Sequence, residues 1–406
     1  MSSNFIEKAS QAILAQNTID RNLYDSLDVK RGLRNADGSG VLAGLTKISG
    51  VIGSKKEDGK LVPLDGKLMY RGIDIRDLVA GIQQAKRHGF SEATYLLLFG
   101  KLPMAAELEE FESDLHARMS LPRRLVASNI LQYTSPNVMN ALQKVTLALY
   151  AVDDNPDDIR IPNLVRQSLE LIAKFPAIIA YAYRALRHKF HDEPLFINHP
   201  RPDYDIAQNF LHMLRPDSQF SALEAELLDL ALVLHAEHGG GNNSSFTTHV
   251  VSSSHTDTYA AIAAAISALK GPLHGAANAN VMYMMDNIKA NVKDWADRDA
   301  VSDYIAKIVR KEAHNRSGLV YGMGHAVYTK SDPRAIILKQ KARELAEVKG
   351  RLDEYHLYTA VEALTPEVFR KVKGSDKVIS PNVDFFSGFV YDMLGFSVEI
   401  YTPLFA

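Results

Sequence analysis

Four short stretches of this sequence hold the residue types from which an acid–base site can be built. In Gly271-Pro272-Leu273-His274-Gly275-Ala276-Ala277-Asn278 a histidine stands on a connector between two helix-forming runs. The alanine-rich run from Thr256 to Lys270 must stop at Gly271-Pro272, because proline lacks a donor and clashes with the preceding turn. A second run follows from Asn278 to Lys289, so His274 precedes a helix N-terminus, where the positive end of the peptide dipole disfavours imidazolium. A neutral imidazole there can donate a hydrogen bond, although local packing is the ordinary use of a histidine that stands alone.

The second stretch closes a helix read over Ser221 to His238, in which Leu223, Leu227, Leu230 and Leu234 form an apolar stripe that His238 continues. The glycines of Gly239-Gly240-Gly241-Asn242-Asn243 can adopt positive φ and bring N–H groups to an anion; the plainer reading is a helix C-cap beside a satisfied histidine. His235, Glu237 and His238 raise the question of a metal, but the i, i+3 spacing and the lack of a third nearby ligand argue against one. In the third stretch, Tyr321-Gly322-Met323-Gly324-His325-Ala326-Val327-Tyr328, glycines leave the backbone around His325 open to a ligand. Asp332-Pro333-Arg334 then begins a helix, and the Arg334 guanidinium is placed to hold a carboxylate through two parallel hydrogen bonds. In the fourth, Pro381-Asn382-Val383-Asp384-Phe385-Phe386-Ser387-Gly388, either Asn382 or Asp384 caps a helix. Asp384 is alternatively a general base, with burial raising its pKa and the helix N-terminus lowering it. Removing a proton beside a carbonyl takes a base, a neutral donor for the enolate oxygen and a donor for the electrophile's carbonyl, and this inventory supplies all three.

The elements that must position these residues are mostly helical. Apolar periodicity predicts helices over Glu92 to Phe99, Ala105 to Met119, Val138 to Ala151, Ile161 to Leu186, Val301 to Ala313, Arg334 to Val348 and Leu357 to Val372, besides those above. A weaker amphipathic helix is read over residues 4–27. Short β-like runs (Thr46 to Ile52, Leu61 to Leu64, Lys67 to Tyr70), separated by Gly59 and Asp65-Gly66, predict a small hairpin region near the N-terminus. Polar breaks fall at Asp153 to Asp158, His191 to Tyr204 and Arg215-Pro216-Asp217, and no internal repeat is present.

Composition narrows the chemistry. The 406 residues are 46% hydrophobic with no run of membrane-span length, which predicts a globular protein that does not enter a membrane. A net charge of -2 provides no global attraction to nucleic acid. The absence of cysteine excludes disulfides, zinc–thiolate sites and thiol nucleophiles. The N-terminal segment has no apolar signal region, so a cytoplasmic location is expected.

Together the four stretches resemble the citrate synthase family. Gly271 to Asn278 resembles its GPLHGxAN loop, Gly324 to Tyr328 with Asp332-Pro333-Arg334 its GHxVY…DPR segment, and Pro381 to Gly388 its PNVDxxSG segment. His235 to Phe246, Leu68-Met69-Tyr70-Arg71-Gly72 and Tyr95 to Pro103 are similar to three further segments. The resemblance implies a mainly α, two-domain helical homodimer, with 1–280 and 386–406 as the large domain, 281–385 as the small one, and the site in the cleft between them. It implies condensation of acetyl-CoA with oxaloacetate and hydrolysis of the citryl-CoA formed, with no metal or redox cofactor. By the same resemblance Asp384 removes the methyl proton, His274 serves the thioester oxygen and His325 the oxaloacetate carbonyl. His238 and Arg334, with Asn242 nearby, hold oxaloacetate, while Leu319, Val320, Gly322 and Lys377 contact CoA. A 2-methylcitrate synthase using propionyl-CoA needs the same groups, since a methylene changes discrimination by only about 1–3 kcal/mol.

Two departures accompany the resemblance. Thr329 stands where the family usually has Arg or Lys for a phosphate. The run Tyr401 to Ala406 leads, in the family, to a tail with two more carboxylate-binding arginines; a chain ending at Ala406 is expected to bind oxaloacetate poorly, since a buried charge pair broken on one side costs about 3–5 kcal/mol. That departure keeps a non-catalytic binding protein as a further alternative.

Overall fold

The computed structural model describes residues 46–58, 60–239, 241–325, 327–374 and 378–406, with Asn22 and Ser26. Lys377, Gly59 and, apart from those two positions, the helix expected over 4–27 lie outside the described residues.

Side chains determine where the helices begin. Asp257 accepts the Ala260 N–H at the head of Thr258–Lys270, and Ser221 and Glu224 form a reciprocal capping box on Ala222–His235. Asn242 caps Asn243–Ser252, and Asp332 caps Pro333–Val348 with Pro333 in the first turn. At the last of the four stretches it is Asn382 that caps Val383–Met393, which leaves the Asp384 carboxylate free of that duty. Helices Val138–Leu149, Ile161–His191 and Leu352–Lys373 follow the expected pattern with ends moved by a few residues. Ile75–Gln84, Ile206–Leu214 and Asn243–Ser252 are additional.

The helix read over Ser221 to His238 ends at His235. The Tyr70 hydroxyl donates to the Val233 carbonyl at 2.8 Å, and Gly239 takes φ +80°, so His238 lies beyond the helix on the connector.

The small sheet is antiparallel in the order β1 (Ser49–Glu57), β2 (Lys60–Tyr70), β3 (Ile73–Asp74). Asp65-Gly66, expected as a turn, lies inside β2. Gly66 is there for close approach: a Cβ on it would sit 2.1 Å from the Ser331 carbonyl oxygen. Gly53, at the register shift between Ile52 and Ser54, is equally close to the Val327 carbonyl. These two glycines let the chain after His325 lie directly on the hairpin.

The core runs through Val383–Met393, where Phe385, Phe386, Phe389, Val390 and Tyr391 are all fully buried. This helix is buried on nearly every side, and its rigid packing fixes the turn that carries Asp384.

Candidate active site

Six of the expected site residues, His238, Asn242, His274, His325, Arg334 and Asp384, line one cleft of about 350 Å³. Its remaining walls include Ile262, Ile266 and Leu269 from one face of Thr258–Lys270, together with Val383 and Phe405.

His325 has a defined tautomer. Its Nδ1 accepts the Val327 and Tyr328 N–H groups, both at 3.0 Å, so in the neutral ring the proton sits on Nε2 and makes that atom a donor. Burial, reinforced by the nearby Arg334 charge, pushes its pKa down to about 4. The His238 ring stands 4.9 Å from it, also held well below the ordinary histidine range by burial and by Arg334. His238 Nε2 is buried without a hydrogen-bond partner among the described residues.

His274 lies in the tight turn closed by the His274 and Gly275 N–H groups on the Gly271 carbonyl, ahead of the helix Ala277–Asn291. Burial lowers its pKa. Its Nε2 lies 2.9 Å from Ser244 Oγ, which is also 3.2 Å from the Ala265 carbonyl. When the single Ser244 hydroxyl proton goes to His274, the ring carries its own proton on Nδ1. Ser244 was not among the expected residues: nothing in a run of two serines marks one of them as a histidine partner.

Arg334 is fixed by Asp332, whose carboxylate accepts from Nε at 3.0 Å and from Nη2 at 2.8 Å. One guanidinium edge is therefore already used, and a ligand carboxylate has the other edge, formed by Nη1 and the second Nη2 proton, to address. Asp332, itself 1% exposed, also accepts the Arg334 N–H at 3.0 Å and the Val383 N–H at 3.2 Å. Its expected role was a helix start; it also bolts the Arg334 turn to the Asp384 turn. Asp384 has its pKa raised to about 6, with burial outweighing the opposing pull of Arg334.

Three expectations change. Asn242 spends its side chain on the Ser245 N–H, the Gly239 carbonyl and Ser245 Oγ, which makes it a cap in this structure. The Gly239 N–H, expected to face an anion, donates to Glu237 Oε1 at 2.5 Å. Among the glycines before His325, Gly322 packs on Phe385, where a Cβ would be 2.9 Å from its Cα, whereas Gly324 has open space around it. Leu319, Val320 and Gly322 stand outside the cleft lining; Val320 is buried and Leu319 is 55% exposed. Thr329, in place of a cation, donates its hydroxyl to the Gly53 carbonyl.

His235 and His238 do not converge on a metal-like centre. The Nε2 of His235 pairs with the Tyr391 hydroxyl at 2.5 Å and its ring stacks on Phe405. Among the described residues no group of three histidine or carboxylate side chains is placed to hold an ion. No helix among them is long and apolar enough to cross a membrane.

Known proteins resemble this chain in sequence and in fold. The family model described as "Citrate synthase, C-terminal domain" matches residues 36–406. The citrate synthase of Haloferax volcanii is 35% identical over 385 residues, covering 93% of this chain and 88% of that protein. The 2-methylcitrate synthase of Shewanella oneidensis is 33% identical over 342 residues, covering 83% and 80%. Among solved structures, citrate synthase from Pyrobaculum aerophilum superposes with a TM-score of 0.72 at 29% identity, covering 90% of this chain and 84% of that one. The Thermoplasma acidophilum citrate synthase, solved as a ternary complex with carboxymethyl coenzyme A and oxaloacetate, gives 0.71 at 26% identity, covering 90% and 86%. With the helical fold, the ordered motifs and a family model spanning the whole cleft in agreement, the chain belongs to the citrate synthase family and is an acyltransferase-type enzyme.

Proposed function

We propose that this enzyme condenses acetyl-CoA with oxaloacetate and hydrolyses the resulting citryl-CoA to citrate and free CoA. The observation that carries the reading is the convergence in one cleft of a base with a raised pKa, two histidines kept neutral, and a buried arginine. Asp384 takes a proton from the thioester methyl group, and the C–H electron pair becomes the enol double bond as His274 donates to the carbonyl oxygen. The enol carbon attacks the oxaloacetate carbonyl, whose oxygen becomes an alkoxide that receives the His325 Nε2 proton. His238, through its unpartnered Nε2, and Arg334, through the edge that Asp332 leaves open, hold the keto-acid. Asn242 supports the loop beneath them, and water then cleaves the thioester to release the thiol.

Leu319, Val320, Gly322 and Lys377 are assigned to CoA on the resemblance of their segments alone. The same reading makes 281–385 a smaller lobe that closes over oxaloacetate, and needs no metal or redox group. It makes the active species a homodimer, a role supported by the exposed apolar side chains of Leu147, Tyr150, Val152, Ile161 and Val165 along neighbouring elements.

The test is thiol release measured with acetyl-CoA and, side by side, with propionyl-CoA, each with and without oxaloacetate and after exhaustive chelation. A larger kcat/KM for acetyl-CoA, unaffected by chelation, is expected. A preference for propionyl-CoA would reassign the enzyme as a 2-methylcitrate synthase, the activity named for the Shewanella relative. Loss of activity on chelation would refute the metal-free mechanism.

A further inference from the structure

The small sheet touches both loops that bring oxaloacetate-facing histidines to the cleft, and the proposed chemistry makes no use of it. On one side Ser49 of β1 donates its hydroxyl to Glu237 Oε1 at 2.9 Å, and the same oxygen accepts the Gly239 N–H at 2.5 Å. Tyr70 of β2 accepts the Glu237 N–H at 3.2 Å while donating to Val233. His238 lies between these two anchored neighbours. On the other side Thr329 donates to the Gly53 carbonyl, and Ser331 Oγ accepts the Gly66 N–H at 3.1 Å. Gly53 and Gly66 allow this contact, since a Cβ at either would collide with the 327–331 backbone. His325 is in turn tied to that backbone through Val327 and Tyr328.

We propose that the β1–β2 hairpin sets the separation of His238 and His325, with Glu237 and Thr329 as its two positioning residues. This rests on the reading that the two histidines together hold a keto-acid. A hairpin suits this role because its ladder pairs Ser49 to Ile52 with Lys67 to Tyr70 and resumes at Ser54, which holds the Gly53 bulge between two paired stretches and at a set distance from Ser49. Glu237 itself lines the cleft, and the two donations to its Oε1 fix the direction in which its carboxylate lies. The position at which a phosphate-binding cation was expected is thereby given a different use, because Thr329 turns its hydroxyl into the hairpin.

The test uses the full chain and two readouts, the oxaloacetate Kd by titration calorimetry and the separate KM values of the two substrates. Glu237→Ala and Thr329→Val are expected to weaken oxaloacetate binding on the order of 10-fold, the scale of a sub-ångström misplacement, with the acetyl-CoA KM within about 2-fold of wild type. Glu237→Gln and Thr329→Ser, which keep the bonding atoms, are expected to stay within about 3-fold of wild type. Unchanged oxaloacetate affinity in both removal variants, a parallel rise in both KM values, or failure of the conservative variants to restore binding would overturn the proposal. If Glu237→Ala does not fold, Thr329→Val and Ser49→Ala carry the same comparison. A wild-type chain that binds oxaloacetate without turnover would refute the proposed reaction and still leave this inference tested by the Kd values.

Discussion

Proton positions in the cleft are set by neighbours that do not react. The two N–H groups on His325 Nδ1 leave its donor on Nε2, and Ser244 governs which nitrogen of His274 carries a proton. Ser244→Ala is therefore expected to lower kcat by on the order of 10-fold with little change in oxaloacetate KM, as steady-state kinetics will register. Asp384 can accept a proton only in its ionised form, so kcat/KM for acetyl-CoA should fall below about pH 6, while His325, with its pKa pushed down to about 4, stays neutral above that break. The same shift predicts a stability effect. With its folded pKa raised from 3.8 to about 6, the folded chain holds a proton that the unfolded chain has already released between those values. The Asp384 contribution to stability is thus present below the lower value and lost as pH rises through the upper one. Asp384→Asn, always neutral, should melt above wild type at about pH 8 and lose that advantage near pH 4; equal melting at both pH values would contradict the dominance of burial. His274, His325 and Asp384 were legible because glycine, proline and capping residues marked their loops, whereas Ser244 and the bridge from Asp332 to Val383 were not, since those partners are distant in sequence and met only in the folded chain.

Among the elements, the joint between Pro333–Val348 and Val383–Met393 matters most, because one carboxylate, Asp332, serves the first turns of both helices and the Arg334 fork. Asp332→Ala removes one partner of a buried pair, and denaturant unfolding should show a loss of about 3–5 kcal/mol together with a raised oxaloacetate KM. A variant as stable as wild type would mean that the pair contributes little. The helix start was readable at Asp332, where Asp-Pro precedes apolar periodicity, whereas the run read from Thr256 begins only after its cap Asp257. Asn243–Ser252 was not readable, because its serines, threonines and valines have weak helix propensity and none of its residues is buried. Asp65-Gly66 was misread because a glycine needed for close approach looks, in sequence, like a glycine needed for a turn. The Ser221 helix was extended too far for a related reason: the Tyr70 hydroxyl that meets its last turn comes from a strand more than a hundred residues earlier.

For the whole molecule, the mainly α class and the small hairpin followed from periodicity and turn residues, and the family from the order of several motifs rather than from any one of them. Positions 280/281 and 385/386, expected as lobe boundaries, fall inside the helices Ala277–Asn291 and Val383–Met393. Sedimentation at micromolar concentration is expected to give twice the monomer mass, and charged substitutions at Leu147 and Ile161 to shift the species toward monomer; a wild-type monomer would contradict the dimer. The central claim, that Asp384 and His274 generate an enol which oxaloacetate captures, is tested most directly by thiol release from acetyl-CoA at about pH 8 in wild type, Asp384→Asn and His274→Ala. The expected result is release by wild type only when oxaloacetate is present, and a loss of at least about 100-fold in each variant. Near-normal release by either variant, or release by wild type that ignores oxaloacetate, would contradict it.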